Sequence, residues 1–247
     1  MTFDAMFFAM AIPAVVFAGI SKAGFGSGAA FAAAPFLALI VEPEVAIGLM
    51  LPLLMLVDAV TLRPYWRAWH WPSARLLIAG GLPGVMLGAL FWQSANPDVL
   101  KFFIGAIALG FVAFQLLGPG LRLRDDAGPV AGLIAGVTAG FTSFVSHAGG
   151  PPAAVYLLSR GLGKTEFQAT TVLLFWAINI AKAVPYAFLG IFTAQTLLAG
   201  LYLAPAALIG AWIGVAAHRA IPERVFFAVT YVFLTITGGK LIWDALT

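Results

Sequence analysis

Ala18-Gly19-Ile20-Ser21-Lys22-Ala23-Gly24-Phe25-Gly26-Ser27-Gly28 and, 121 residues further on, Ala139-Gly140-Phe141-Thr142-Ser143-Phe144-Val145-Ser146-His147-Ala148-Gly149 are two glycine-broken stretches set in apolar sequence. Each carries hydroxyls and one basic side chain, Lys22 in the first and His147 in the second. Broken hydrophobic segments at corresponding positions of two halves point to a transporter binding site. Reading them as breaks inside a membrane depends on what surrounds them.

The surroundings are those of a membrane protein. Of 247 residues, 62% are hydrophobic and 9% charged, against about 25% charged in a soluble domain. No polar run is long enough for a separate soluble domain. The net charge of +3 is spread over short loops and implies no nucleic-acid partner. Without cysteine there are no disulfides and no thiolate metal ligands or nucleophiles. The N-terminal stretch lacks a basic n-region and carries Asp4, so it reads as a first membrane segment rather than a cleaved signal.

Apolar segments fall at about 3–20, 28–40, 45–62, 73–93 and 98–118, then at about 129–143, 149–159, 166–189, 195–217 and 223–245. They are long and lack period-two alternation, so they are expected to be helices. Segments 28–40 and 149–159 are short for a crossing at about 1.5 Å per residue. With their predecessors they predict hairpins whose tips lie within the membrane. Pro83 and Pro205 mark expected kinks.

Nine of the 13 basic residues lie around four loops: Arg63, Arg67 and Arg75; Arg122 and Arg124; Arg160 and Lys164; Arg219 and Arg224. The loops at 41–44, 94–97 and 190–194 hold none. The positive-inside rule puts the basic loops in the cytoplasm and both termini outside, in the inner membrane. Trp66, Trp69, Trp71 and Tyr65 read as an interfacial aromatic belt, and His70 and His218 as interface residues.

At an offset of 121, Gly19 matches Gly140, Gly28 matches Gly149, Asp58 meets Asn179, Pro64 meets Pro185 and Tyr65 meets Tyr186. At 122, Pro83 meets Pro205 and Gly88 meets Gly210. The loop at 41–44 is predicted outside and its counterpart at 159–166 inside, so the halves are inverted. The expected fold is an all-α integral membrane protein with an inverted-topology repeat. Residues 1–118 form the first half, 119–128 a cytoplasmic linker and 129–247 the second. Each half opens with a glycine-broken helical hairpin followed by three transmembrane helices.

The stretch 19–28, the stretch Ser146-His147-Ala148-Gly149-Gly150-Pro151-Pro152 and the two-half layout resemble the sulfite exporter TauE/SafE family of membrane permeases. The resemblance covers essentially the whole chain. It implies transport of a small sulfur-containing oxoanion such as sulfite or an organosulfonate, and names neither the anion nor the direction.

The residues themselves point the same way. A helix restarting after a break presents N–H groups and a positive dipole end, which is an anion site. The expected substrate-binding residues are Ser21, Lys22, Gly26, Ser27 and Gly28 from the first tip, and Ser143, Ser146, His147, Gly149 and Gly150 from the second. Asn179 and Lys182, one turn apart on one helix face, are expected to line the same cavity. The competing reading of the glycines is close helix packing, and that of Lys22 is snorkelling to a surface. His147 is either a proton-coupling group or a structural imidazole on a backbone carbonyl. Asp58 is a second proton-coupling candidate, with an interfacial ion pair to Arg63 the favoured alternative and a pair with Lys182 another. Lys240 is expected to pair with Asp244.

No HExxH, GxSxG or paired acidic motif is present, so neither an enzyme nor a metal site is expected, and no cofactor is assigned. The function expected is a secondary transporter of a small anion working by alternating access in the lipid bilayer, with protons as a possible coupling ion. A passive anion channel is the alternative.

Overall fold

The computed structural model describes residues 4–24, 32–117, 128–217 and 223–247. Gly26, Ser27, Gly28, Arg122, Arg124, His218 and Arg219 lie outside the described residues. The described chain is helical: α1 (Ala5–Gly24), α2 (Ala33–Leu37), α3 (Pro43–Leu62), α4 (Trp71–Ser94), α5 (Pro97–Leu117), α6 (Pro129–Ser146), α7 (Gly150–Ser159), α8 (Lys164–Phe188), α9 (Ala194–Ala217) and α10 (Glu223–Leu246). These fall on the ten apolar segments. Seven of them, α1, α3, α4, α5, α6, α8 and α9, are long and apolar enough to cross a bilayer. This is an integral, multi-pass, all-helical membrane protein.

Local chemistry sets the helix ends. Proline opens α3, α5 and α6, where its missing N–H costs no helical bond. His70 caps α4, its Nδ1 accepting from the Ser73 N–H, rather than merely lying at an interface. Gly190 closes α8 at φ 71°, a conformation other residues adopt at a cost.

The two most closely packed helix pairs are α4 against α6 and α1 against α9, followed by α5 against α10. The first two are both seamed by glycine. A Cβ on Gly19 would lie 2.7 Å from the Ala207 carbonyl oxygen, and one on Gly24 would lie 2.5 Å from that of Gly214. In the other pair, Gly140 lies against the backbone of Gly81, and Gly84 against that of Val137. Side chains at these positions would collide with main chain that has nowhere to move. Small residues here let backbones touch, which is what holds helices together where lipid competes for apolar contact.

This corrects the reading of the breaks. α1 stays helical through Gly24 and α6 through Ser146, so Gly19, Gly24 and Gly140 are packing glycines. The second interruption is confined to residues 147–149, and the described part of the segment read at 28–40 is helical only over Ala33–Leu37. Helices α3 and α8 cross between the two glycine-seamed pairs and bring the ends of α1 and α6 toward one buried region.

Candidate functional site

At the end of α1, Lys22 is 5% exposed, and its Nζ lies 2.9 Å from Oδ1 of the fully buried Asp58 on α3. Asn179 on α8 donates its Nδ2 to the other carboxylate oxygen at 2.6 Å. One carboxylate oxygen of Asp58 thus faces the Lys22 ammonium as an ion pair, and the other accepts from Asn179. The expected pair with Arg63 does not form: Arg63 is exposed, and Asp58 faces inward, away from the interface. Nor does Lys22 snorkel. Its ammonium is also 5.3 Å from the centre of the Phe175 ring, a cation–π contact that substitutes for lost hydration.

At the end of α6, Lys182 is fully buried. Its Nζ donates to the Ser143 carbonyl at 2.9 Å and lies 3.1 Å from Ser143 Oγ and 2.8 Å from His147 Nδ1. His147 Nε2 is 3.1 Å from the Ile47 carbonyl, which can only accept. Nε2 therefore carries the proton and Nδ1 presents its lone pair to Lys182, giving a neutral imidazole. His147 thus bonds a backbone carbonyl, as the structural reading expected, and also holds a lysine. It does so from a left-handed backbone at φ 57°, the residue that ends α6. Its N–H bonds the Ser143 carbonyl, and the Ala148 N–H bonds that of Thr142. Such a conformation is uncommon outside glycine and persists only where surroundings enforce it.

Four residues that the sequence did not single out for the site complete it. Gln168 donates to the carbonyls of Lys22 and Ala23 at 3.0 and 3.3 Å, and Tyr65 to that of Ala23 at 3.1 Å. Tyr186 donates to the Phe144 carbonyl at 2.6 Å. These bonds satisfy the last carbonyls of α1 and α6, which hydrocarbon would leave unpaired. Burial raises the Tyr65 phenol above its ordinary range, keeping it a donor. Phe175 lies under Lys22 and also crowds Gly149, where a Cβ would come 2.7 Å from its ring.

The structure thus brings Lys22, Asp58, Asn179, Ser143, His147 and Lys182 into one buried region. Ser146 instead bonds the Thr142 carbonyl of its own helix. Ser21 is fully buried, its Oγ without a partner among the described residues. Gly149 and Gly150 begin α7, but Pro151 and Pro152 carry no N–H, so this helix start offers an anion few donors. Lys240 pairs with Asp244 as expected, at the end of α10. Trp66 and Trp69 on the loop before α4 and Trp71 at its start stack edge to face. An apolar groove beside α1, α2 and α10 is lined by Pro13, Phe17, Phe36 and Phe233.

Buried lysines in a multi-pass helical protein mark a polar functional site inside the membrane-spanning part. The chain belongs to the sulfite exporter TauE/SafE family, whose family model matches residues 11–241. That family is one of membrane exporters of sulfur-containing anions, not of enzymes. No curated protein and no solved structure matches the chain.

Proposed function

We propose that this protein is a secondary transporter of sulfite or an organosulfonate, working by alternating access across the inner membrane. The anion binds in the buried region where α1 and α6 end between α3 and α8. One observation carries the reading: of two buried lysines, only Lys22 has a carboxylate, and Lys182 meets neutral acceptors. Lys182 is surrounded by neutral acceptors, and an uncompensated ammonium in a dry interior is costly unless an anion visits it. Lys22 keeps donors beyond the one aimed at Asp58, and Ser21 adds a buried hydroxyl. The burial of both ammoniums supports alternating access over an open channel.

The reading includes an inverted repeat of residues 1–118 and 129–247 around the linker 119–128. Tyr65 bonds Ala23 and Tyr186 bonds Phe144, and both partners differ by 121 in number. The packing of α1 on α9 has its counterpart in that of α6 on α4. Asp58 and Asn179, also 121 apart, touch each other. Two residues exchanged by a twofold meet only on its axis, so this contact supports an axis through the site. On this reading α1 with α2, and α6 with α7, are hairpins entering from opposite faces, with the basic loops cytoplasmic and both termini outside.

Protons are the coupling ion of this proposal, with His147 as carrier. Protonation at Nδ1 would remove the lone pair that Lys182 uses and set two cations side by side, driving Lys182 away. Asp58, held by Lys22 and Asn179, is the less available carrier. Transport by His147→Gln then loses most of its pH dependence between about pH 6 and 8. An unchanged pH profile leaves His147 as a structural residue.

Equilibrium binding of sulfite and simple sulfonates to purified protein tests the site. Lys182→Met and Lys22→Ala each weaken binding by at least about tenfold, consistent with loss of a charge-assisted bond, whereas Lys240→Ala leaves it unchanged. Wild-type affinity in both lysine variants refutes the site.

A further inference from the structure

The loop between α3 and α4 is fastened to the protein, but its charges are not. Tyr65 is buried against Ala169 and Val172 and donates to the Ala23 carbonyl, and the His70 N–H donates to Thr170 Oγ at 2.9 Å. Three arginines ride on this frame: Arg63 at the end of α3, Arg67 in the loop and Arg75 one turn into α4. All three are exposed, and none forms an ion pair among the described residues. Arginine stays charged throughout the physiological range. The adjoining start of α8 carries one acid, Glu166, offset by Lys164. Arg67 holds a left-handed backbone at φ 62°, which glycine adopts freely and arginine at a cost. The fold alone would be served better by glycine, so a cation is kept here for another reason.

Arg75 also heads a stripe. Ala79, Leu82, Met86 and Leu90 follow it along α4 at three- and four-residue spacing, and all are exposed. The opposite face, with Gly80, Gly84 and Gly88, packs on α6. In a bilayer the exposed stripe meets acyl chains. Trp71, one turn before Arg75, is 53% exposed, and Trp66 is 61% exposed. Tryptophans open on one side belong at the headgroup layer. A cationic end at headgroup level therefore continues into an apolar face, which matches an anionic amphiphile in both charge and length. We propose that Arg63, Arg67 and Arg75, with Trp66 and Trp71, bind the headgroup phosphate of an anionic phospholipid whose acyl chains lie along Leu82, Met86 and Leu90. The guanidinium fork fits phosphate oxygens. A zwitterionic lipid brings its own ammonium to the same phosphate and gains less from the arginines.

Thermal unfolding of the full chain in a neutral detergent tests this, because a lipid bound to the folded state raises the midpoint. The protein is titrated with phosphatidylglycerol, with phosphatidylcholine of the same chains, and with water-soluble glycerophosphoglycerol. Phosphatidylglycerol stabilises wild type at a half-saturating concentration at least about twentyfold below that of phosphatidylcholine. Arg67→Gly and Arg75→Gln each raise that concentration about fivefold, and the two together remove most of the preference. Arg67→Gly without lipid unfolds at as high a temperature as wild type, since glycine relieves the backbone strain. That variant therefore separates lipid binding from folding. Lys240→Gln, which removes a lysine paired with Asp244 near the end of α10, leaves the preference unchanged. Equal stabilisation of wild type by the two lipids overturns the proposal. So does a phosphatidylglycerol preference that survives in the double variant, which places the lipid elsewhere. Stabilisation by glycerophosphoglycerol as strong as that by the lipid assigns the arginines to a soluble anion and overturns the lipid site.

Discussion

The ends of α1 and α6 are built alike and charged differently. Both stop inside the protein, and both have their last carbonyls closed by donors from α8 or from the tyrosines at 65 and 186. The α1 end carries a lysine that finds a carboxylate. The corresponding position on α6 is Ser143, and there the lysine arrives from α8 and finds only neutral acceptors. The frame is repeated and the chemistry is not. Lys22 is held as half of an ion pair, Lys182 as a cation in surplus, so one lysine should matter more to stability and the other to anion binding.

The largest effect expected tests that division. Lys22→Met strips Asp58 of its counter-charge and leaves a buried carboxylate, which costs about 3–5 kcal/mol. Adding Asp58→Leu recovers most of that loss, since the unpaired charge goes too. Reversible unfolding in mixed micelles measures both. A double variant as unstable as Lys22→Met shows that the pair does not act as a unit.

Next comes the frame. Gly140→Val and Gly19→Val each drive a branched side chain into neighbouring backbone, at a cost of about 3 kcal/mol. If the two seams are equivalent, folded yield falls similarly in both. Loss in one alone means that a single seam supports the fold.

Lys182→Met is expected to cost less, about 1–2 kcal/mol, because the acceptors it abandons are neutral and a surplus charge leaves with it. A stability loss matching that of Lys22→Met removes the distinction between the two lysines.

Much of this was legible in the sequence. Each of the ten apolar segments holds a helix among the described residues, and seven of these are long and apolar enough to cross a bilayer, because length and hydropathy are local properties. Lys22, Ser143, His147, Asn179 and Lys182 stood out because polar groups in apolar helices must meet one another. What was not legible is which helices adjoin. Asp58 lies five residues from Arg63 in sequence, and that nearness favoured the wrong partner. Only the packing of α1 and α3 puts Lys22 there instead. The glycines misled in a similar way, since close packing and helix breaking use the same residue. Gln168 sits near the start of a helix, where polar residues are ordinary, and Phe175 is one of 21 phenylalanines. The tyrosine match at 65 and 186 was visible as a repeat, but not as a pair of caps.

Those caps give the smallest and most discriminating prediction. Tyr186 is fully buried, and its bond to the Phe144 carbonyl is 2.6 Å; Tyr65 is 6% exposed and bonds Ala23 at 3.1 Å. The Ala23 carbonyl has a second donor in Gln168, whereas Tyr186 is the side-chain donor that the Phe144 carbonyl has among the described residues. Tyr186→Phe therefore orphans a buried acceptor and costs about 1–2 kcal/mol, and Tyr65→Phe, with Gln168 in reserve, about 0.5 kcal/mol. The reserve can be removed. In a Gln168→Leu background the cost of Tyr65→Phe should rise toward that of Tyr186→Phe, a positive coupling readable in a double-mutant cycle. If the two costs stay independent, the Ala23 carbonyl does not share its donors, and the two helix ends differ in more than charge.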